Sequence, residues 1–336
     1  MTKLKVGIIG AGYIGGVHAG ILARDDRVEI SSVYDVANGP AERLAASCSA
    51  RVAMSATEVI DSCDAVYITT PNTKHTELAI AAATAGKHVF CEKPMATSIA
   101  DARAVLEADN KSKGIFQVGH NRRFAPVYAR LKQMLAESHP PHSAHVKMNR
   151  GELLHPEWVG DPQVTGGFLY ETTIHMFDMM RFLFGEVSML HAVGSRHEYP
   201  EVDDFSVLLN FTSGMHATFA SSADASWLFP FERVEVFSHH ATIVTREMES
   251  LVCTEAGAHN VSSVGSSSSG SHHVEYSMHQ LSKEEKWGYS QEDQSFIDSI
   301  INGSPAAVSA WDGFKAVELV EACYRSVKAE EPVVLA

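Results

Sequence analysis

The sequence predicts an α/β protein with two sheets in series: an N-terminal doubly wound parallel sheet, then an α+β region with a large, mostly antiparallel open sheet. Three observations carry this. A buried strand, Lys5 to Ile9, runs straight into Gly10, Gly12 and Gly15, and Asp35 closes the next apolar run twenty residues past the last glycine. Short apolar runs then alternate with helical spacings as far as Cys91. Beyond residue 140 the runs lengthen and alternate apolar with polar, the period of half-buried strands.

Composition bounds the class. At 336 residues and 45% hydrophobic, the chain is long enough for two cores. A formal charge of −14 argues against nucleic acid and anionic membrane surfaces as partners, since such binding starts from a basic patch, and leaves small molecules. The five cysteines are far apart and form no CxxC pair, so buried thiols are expected rather than a disulfide framework or a thiolate metal site. No apolar stretch approaches the roughly 20 residues that span a bilayer. The first strand begins within five residues of the start, so no leader peptide and a cytoplasmic location are expected.

The elements of the first region follow in order. After the first strand, Ile14 to Ala23 reads as a helix with Ile14, Val17, Ile21 and Leu22 available to the sheet. Gly10 allows a tight turn, Gly12 a close backbone approach, and Gly15 close packing of helix on strand. Val28 to Tyr34 is the second strand, ending at Asp35. Strand, glycine turn, helix, strand and acid in this order form a Rossmann dinucleotide fingerprint, with pyrophosphate on the amides of the helix start. Gly10, Ala11, Gly12, Tyr13, Ile14 and Gly15 are therefore the expected phosphate loop, and Asp35 the acceptor for the ribose hydroxyls. Val36, Ala37 and Asn38 follow without an arginine to receive a ribose phosphate, so NAD is preferred; Arg43 leaves NADP open. Ala41 to Ser47 suits a helix, Val52 a short strand, Ala56 to Ile60 a helical turn or two and Ala65 to Thr69 a strand. Pro71 breaks the chain at the carboxyl end of that strand, where ligands sit in such sheets. His75 to Ala85 is a helix stopped by Gly86, and Val89 to Cys91 another buried strand.

The motifs that come next carry a resemblance. GAGYIG at 10 to 15, TTPNTKH at 69 to 75, AGKHVFCEKP at 85 to 94, GHNRRF at 119 to 124, GGFLYETTIHMFDMMRFLFG at 166 to 185 and a closing segment from Phe296 to Val334 together resemble the glucose-fructose oxidoreductase, inositol dehydrogenase and rhizopine catabolism (Gfo/Idh/MocA) family of NAD(P)-dependent oxidoreductases. The resemblance implies a dinucleotide domain over residues 1–124 and a substrate and oligomerisation domain over 125–336. It assigns Lys93 as the catalytic lysine near the nicotinamide, with a candidate cis bond before Pro94. It adds Thr70, Pro71, Asn72, His75, Glu92, Pro94 and Arg122 to the cofactor side, with Lys93 counted there too. On residues alone, a lysine after a buried strand is more often a solvated strand end.

Glu171, His175 and Asp178 share one face if the segment is a regular α-helix, with Ile174, Phe177 and Phe182 toward the core. Two ligand types, Glu171 and His175, without a third make a poor metal site, and none is expected. The resemblance makes His175 the catalytic histidine on the substrate side and Asp178 a substrate-binding or supporting acid. Where relatives commonly have aspartate, this chain has Glu171, whose extra methylene sets its carboxylate farther out; it is kept as a substrate ligand. Thr173, in place of a common glycine, is closer to the inositol dehydrogenase branch. Asn121, Arg123 and His155 complete the substrate-side candidates. For Arg122 and Arg123 a structural salt bridge is the other reading; for His175 it is a core histidine, and for Asp178 a cap.

The second region shows strands at Ala144 to Asn149, Met189 to Gly194, Asp204 to Phe211, Met215 to Ser222, Arg233 to Ser238 and Ala241 to Thr245, preceded by a helix from Pro126 through Leu135. Ser262 to His273 reads as a surface loop. Trp158, Trp227, Phe229 and Phe231 suit either a sugar pocket or burial, and Trp311 to Val327 a packed helix. The family likeness implies a homodimer or homotetramer through the outer sheet face. The activity it implies is oxidation of a secondary hydroxyl on a cyclic polyol or sugar, with a sugar ketone or aldehyde reductase, or a non-catalytic NAD-binding regulator, as the alternatives.

Overall fold

The computed structural model describes residues 2–151, 156–225, 232–255 and 272–335. β1 (Leu4–Ile9) is buried over its last four residues and lies between β2 (Val28–Tyr34) and β4 (Ala65–Ile68), parallel to both. β3 (Arg51–Val52) extends one edge, β5 (His88–Glu92) and β6 (Phe116–Gly119) the other, giving the order β3-β2-β1-β4-β5-β6 with every pair parallel. The order reverses between β1 and β4. A sheet whose strands are buried on both faces needs uninterrupted apolar runs, and AVYI in β4 and VFC in β5 supply them.

Helices Tyr13–Leu22, Asn38–Cys48, Ala56–Ser62, His75–Thr84 and Ile99–Lys111 connect these strands. Serine side chains start two of them: Ser55 accepts from the Glu58 amide and Ser98 from the Asp101 amide, each at 3.1 Å. The helix Ile99–Lys111 and strand β6 are absent from the expectation above and complete the sixth strand. Val6, Ile8, Leu22, Tyr67, Phe90, Phe296 and Ile297 are among the core side chains. This unit comprises Met1–Asn121, Leu154–Asp178 and Gly288–Glu321. Its first helix turns Leu22 inward as expected but departs from expectation in turning Gly15, His18 and Ala19 inward and leaving Ile14, Val17 and Ile21 half-buried. The cause is Gly15, whose missing side chain admits the turn: a Cβ there would lie 2.2 Å from the Gly10 carbonyl oxygen.

The other unit, Arg122–Leu153, Met179–Trp287 and Ala322–Ala336, is built, among the described residues, on nine strands. These are β7 (Ser143–Asn149), β8 (Val187–Ser195), β9 (Asp204–Phe211), β10 (His216–Ser222), β11 (Glu232–Ser238), β12 (Ala241–Arg246), β13 (Ser250–Glu255), β14 (His272–Ser277) and β15 (Val333–Val334). Their order is β14-β13-β12-β11-β7-β10-β9-β8-β15, antiparallel except for the parallel pair β7 and β10. The period of two is clean in β9, where Phe205, Val207, Leu209 and Phe211 are buried and Ser206 and Leu208 are not. His272 and His273 lie in β14, paired to Glu255 and Thr254, so the expected loop ends before them. The rest of that loop, and Trp227, Phe229 and Phe231, lie outside the described residues.

All five cysteines are free thiols. Burial pushes the Cys63 thiol up to about 11 and the Cys323 thiol up to about 12, so neither is a reactive thiolate near neutral pH. Among the described residues no helix is long and apolar enough to cross a membrane.

Candidate active site

The glycine loop is shaped for a phosphate group. Gly10 sits at φ +103°, and a Cβ there would lie 2.5 Å from the Thr69 carbonyl oxygen, so only glycine holds this turn against β4. Gly12 begins the first helix without any side-chain cap, and the space where its Cβ would stand is empty to 4 Å. An uncapped helix start facing open space, with no acid in its first turn, is an anion cradle. It lies at the carboxyl ends of β1 and β4, where the strand order reverses. Asp35 closes β2, its carboxylate accepting from the Ala11 amide at 2.7 Å and the Ala37 amide at 2.8 Å. The acid thus fixes the loop and keeps oxygen lone pairs for a ribose diol. These features fit a dinucleotide.

The neighbouring strand ends are tied together. His75 is buried, with Nδ1 2.7 Å from the Pro94 carbonyl oxygen and Nε2 2.7 Å from that of Thr70. Burial lowers its pKa against the pull of those two carbonyls, and the neutral ring donates to one of them. His75 therefore sits between the loop after β4 and the loop after β5, its single N–H bonding to one of them. The Lys93-Pro94 bond is cis. Lys93 Nζ donates to the main-chain oxygen of Glu171 at 2.9 Å and lies 3.7 Å from its carboxylate. Asn72, also buried, donates to Glu171 Oε2 at 2.7 Å and to the Thr165 carbonyl at 2.9 Å.

The segment after Gly166 does not form one regular helix. Leu169–Thr173 is a π turn in which the Ile174 amide bonds to the Leu169 carbonyl five residues back, and the α-helix runs only from Ile174 to Phe184. Glu171 stands in the middle of this turn, and His175 and Asp178 lie on the helix that follows. Glu171 meets Lys93 and Asn72, whereas Asp178 Oδ2 lies 3.9 Å from His120 Nδ1 and the His175 ring packs 6.3 Å from that of His120, edge to face. Thr173, His175, Asp178, His120 and Asn121 are all buried.

Arg122 is 2% exposed, its Nε 2.9 Å from Glu232 Oε2 and its guanidinium over the Trp287 ring, the arrangement of the salt-bridge reading. Arg123 lies over Phe182, which is half-buried between this cation and Lys132 rather than in the core. Trp158 is exposed. His155 lies outside the described residues. Among the described residues, ligand-type atoms gather within 4.8 Å in two groups, His18 with Glu92 and Glu292, and His139 with Cys253 and Glu255; neither includes Glu171 or His175.

In the first group, His18 and Glu292 carry no expectation from the sequence, and Glu92 was expected on the cofactor side. His18 Nδ1 lies 2.8 Å and 3.0 Å from the two oxygens of Asp293, and Nε2 3.1 Å from Glu92 Oε1. Glu92 therefore points inward, away from solvent. The available signal was helical spacing from Gly15: the positions three, four and seven beyond the close-packed glycine are His18, Ala19 and Leu22.

Comparison with known proteins gives a consistent answer. The sequence model described as an oxidoreductase family with NAD-binding Rossmann fold matches residues 4–120, and that of the same family's C-terminal alpha/beta domain matches 132–335. The chain is 30% identical over 345 residues to a myo-inositol 2-dehydrogenase of Thermotoga maritima, covering 99% of this chain and 98% of that one. It is 29% identical over 346 residues to an inositol 2-dehydrogenase of Rhizobium meliloti, covering 99% of both. Among solved structures, levoglucosan dehydrogenase in complex with NADH superposes with a TM-score of 0.89 at 22% identity over the whole of both chains, a likeness of fold.

Proposed function

Because the chain belongs to the Gfo/Idh/MocA family of NAD(P)-dependent oxidoreductases, we propose that it oxidises a secondary hydroxyl of a cyclic polyol or sugar to the ketone, with Lys93 and His175 as the catalytic pair. The observation that carries the reading is the placement of Lys93. Its amine leaves the carboxyl end of β5 and is held at 2.9 Å by the Glu171 carbonyl, in the segment that also bears His175. A solvated strand end would leave this lysine in water; here it is mostly buried.

The glycine loop from Gly10 to Gly15 receives the pyrophosphate of the dinucleotide and Asp35 its adenosine ribose, with NAD preferred because no cation follows Asp35 directly. When bound, the nicotinamide supplies the hydride acceptor. Lys93 orients the substrate oxygen and stabilises the negative charge that grows on it. His175 takes the hydroxyl proton, a task suited to imidazole because its charge changes near neutral pH. Glu171, aligned by Asn72, binds a neighbouring hydroxyl and offsets the lysine charge. The inositol dehydrogenases that align over nearly the whole chain support a cyclic polyol as the substrate class. Reduction of the corresponding ketone uses the same residues in reverse.

The test is an NADH-absorbance screen of NAD and NADP against inositols, aldoses, glycosides and anhydrosugars, repeated with Lys93→Ala and His175→Ala. Each substitution is expected to lower kcat by roughly 10²–10⁴-fold while leaving NAD affinity intact. Turnover that survives both overturns the assignment, and a larger kcat/KM with NADP overturns the cofactor preference.

A further inference from the structure

We infer that His18 is a positioning residue for Lys93, registering the helix that starts at the phosphate loop against the strand end that carries the catalytic amine. This rests on the role given to Lys93 above. The connection is continuous. His18 lies on the inner face of helix Tyr13–Leu22, one turn past Gly15. Its Nε2 is 3.1 Å from Glu92 Oε1, and the other oxygen of that carboxylate accepts from the Lys93 main-chain amide at 3.1 Å. Behind the ring, Nδ1 is held between both oxygens of Asp293, from helix Tyr289–Asn302.

The geometry allows little play. The imidazole is walled by Phe90, Tyr67 and Tyr289, with ring centroids at 4.9, 5.5 and 6.0 Å. The Glu92 carboxyl group lies against Gly119 of β6, where an added Cβ would come within 3.0 Å of its Cδ and Oε1. Both ring nitrogens face carboxylate oxygens, which accept only, so the matching species is the imidazolium with two N–H donors. Burial opposes that charge; the charge and hydrogen bond of Asp293, then those of Glu92, outweigh it and hold the His18 pKa well above its ordinary value. Burial likewise opposes the Glu92 carboxylate, and the hydrogen bond and charge of His18, then the charge of Lys93, hold it ionised.

A buried charged trio is weak support for stability, since apolar side chains of similar volume commonly fill such a space without loss. What it provides is direction. Glu92 immediately precedes Lys93, so any freedom in its carboxylate passes to the lysine main chain, and misplacement of about 1 Å at a reacting group costs on the order of 10²-fold in rate. Packing alone would set the spacing of helix and strand; the two ring nitrogens also set the angle.

The experiment compares His18→Gln, Glu92→Gln, their double variant, and a triple variant with Asp293→Asn, which leaves none of these three side chains charged. Three readouts are taken from each folded variant: kcat and KM for the polyol, NAD affinity by fluorescence, and the NMR resonance of isotopically methylated Lys93, assigned by its loss in Lys93→Ala. The expected result is a fall in kcat of roughly 10–100-fold with KM and NAD affinity held, a displaced or broadened Lys93 resonance, and a double variant no worse than either single one. A kcat and a resonance unchanged in a folded variant overturn the inference, as do losses that simply add. If the native enzyme turns over no polyol, the reading of function fails, and the resonance decides the link by itself: displaced, it stands; unmoved, it falls.

Discussion

Glu292 is a carboxyl group with both oxygens buried and no hydrogen-bond partner among the described residues. Burial pushes its pKa well above the ordinary carboxyl value, and the negative charge of Glu92 adds to that, so the group is held as the neutral acid. Between the ordinary and the raised value the folded chain keeps a proton that the unfolded chain has released, so this group's stability contribution is complete below the ordinary pKa and declines as pH rises. Glu292→Gln removes that dependence. Melting curves from about pH 5 to about pH 8 are expected to show the native protein losing Tm relative to the variant as pH rises, by roughly 2–4 °C for each kcal/mol. A constant difference across that range would mean that Glu292 does not hold its proton. Glu232 carries the opposite expectation. It accepts from Arg122 at 2.9 Å and from Tyr128 Oη at 2.5 Å, all three side chains being buried. Glu232→Ala strands a buried guanidinium, and urea unfolding is expected to show a loss of about 3–5 kcal/mol. A loss under about 1 kcal/mol, typical of an exposed pair, would show that water reaches the site.

At the scale of elements, legibility followed periodicity. β1, β4 and β5 announced themselves as short apolar runs that stop at or just before a glycine or proline, β2 as a run closed by Asp35, and the cis candidate at Lys93-Pro94 came with the motif. The π turn at Leu169–Thr173 has no such signature, because its residues suit an α-helix equally; only the bond from the Ile174 amide to the Leu169 carbonyl distinguishes the two. β13 was missed for a different reason: Ser250 to Cys253 is a continuous buried run, SLVC, that shows no alternation. The inward face of the first helix was misread because amphipathicity was counted from Ile14, whereas the close contact at Gly15 sets the rotation. That contact is testable. Gly15→Ala would place a methyl 2.2 Å from the Gly10 oxygen and 2.9 Å from Thr69 Oγ1, so the phosphate turn must move. Overpacking of this kind costs about 1–3 kcal/mol, and if the cost falls on the bound form the NAD dissociation constant rises about 10–100-fold. Calorimetric titration with NAD checks this, and an unchanged constant would separate the turn from cofactor binding.

For the molecule as a whole, the open face of the nine-stranded sheet sets the remaining expectation. Alternation buries one face and leaves on the other a groove bordered by His145, Lys147, His191, Val193, Leu208 and Arg233. An antiparallel sheet tolerates water on one side, so an open face alone requires no partner. Val193 and Leu208 are nevertheless 60% and 43% exposed, on adjacent strands, in a chain whose family likeness implies a subunit contact there. The net charge of −14 resists self-association, and basic side chains in the groove reduce that resistance locally. The expected outcome is an assembly of two or four chains by light scattering, with Val193→Glu and Leu208→Glu together yielding monomers that still bind NAD. Raising the salt concentration should favour the native assembly by screening the like charges. A native protein already monomeric at micromolar concentration, or a double variant that stays assembled, would place the subunit contact on another surface.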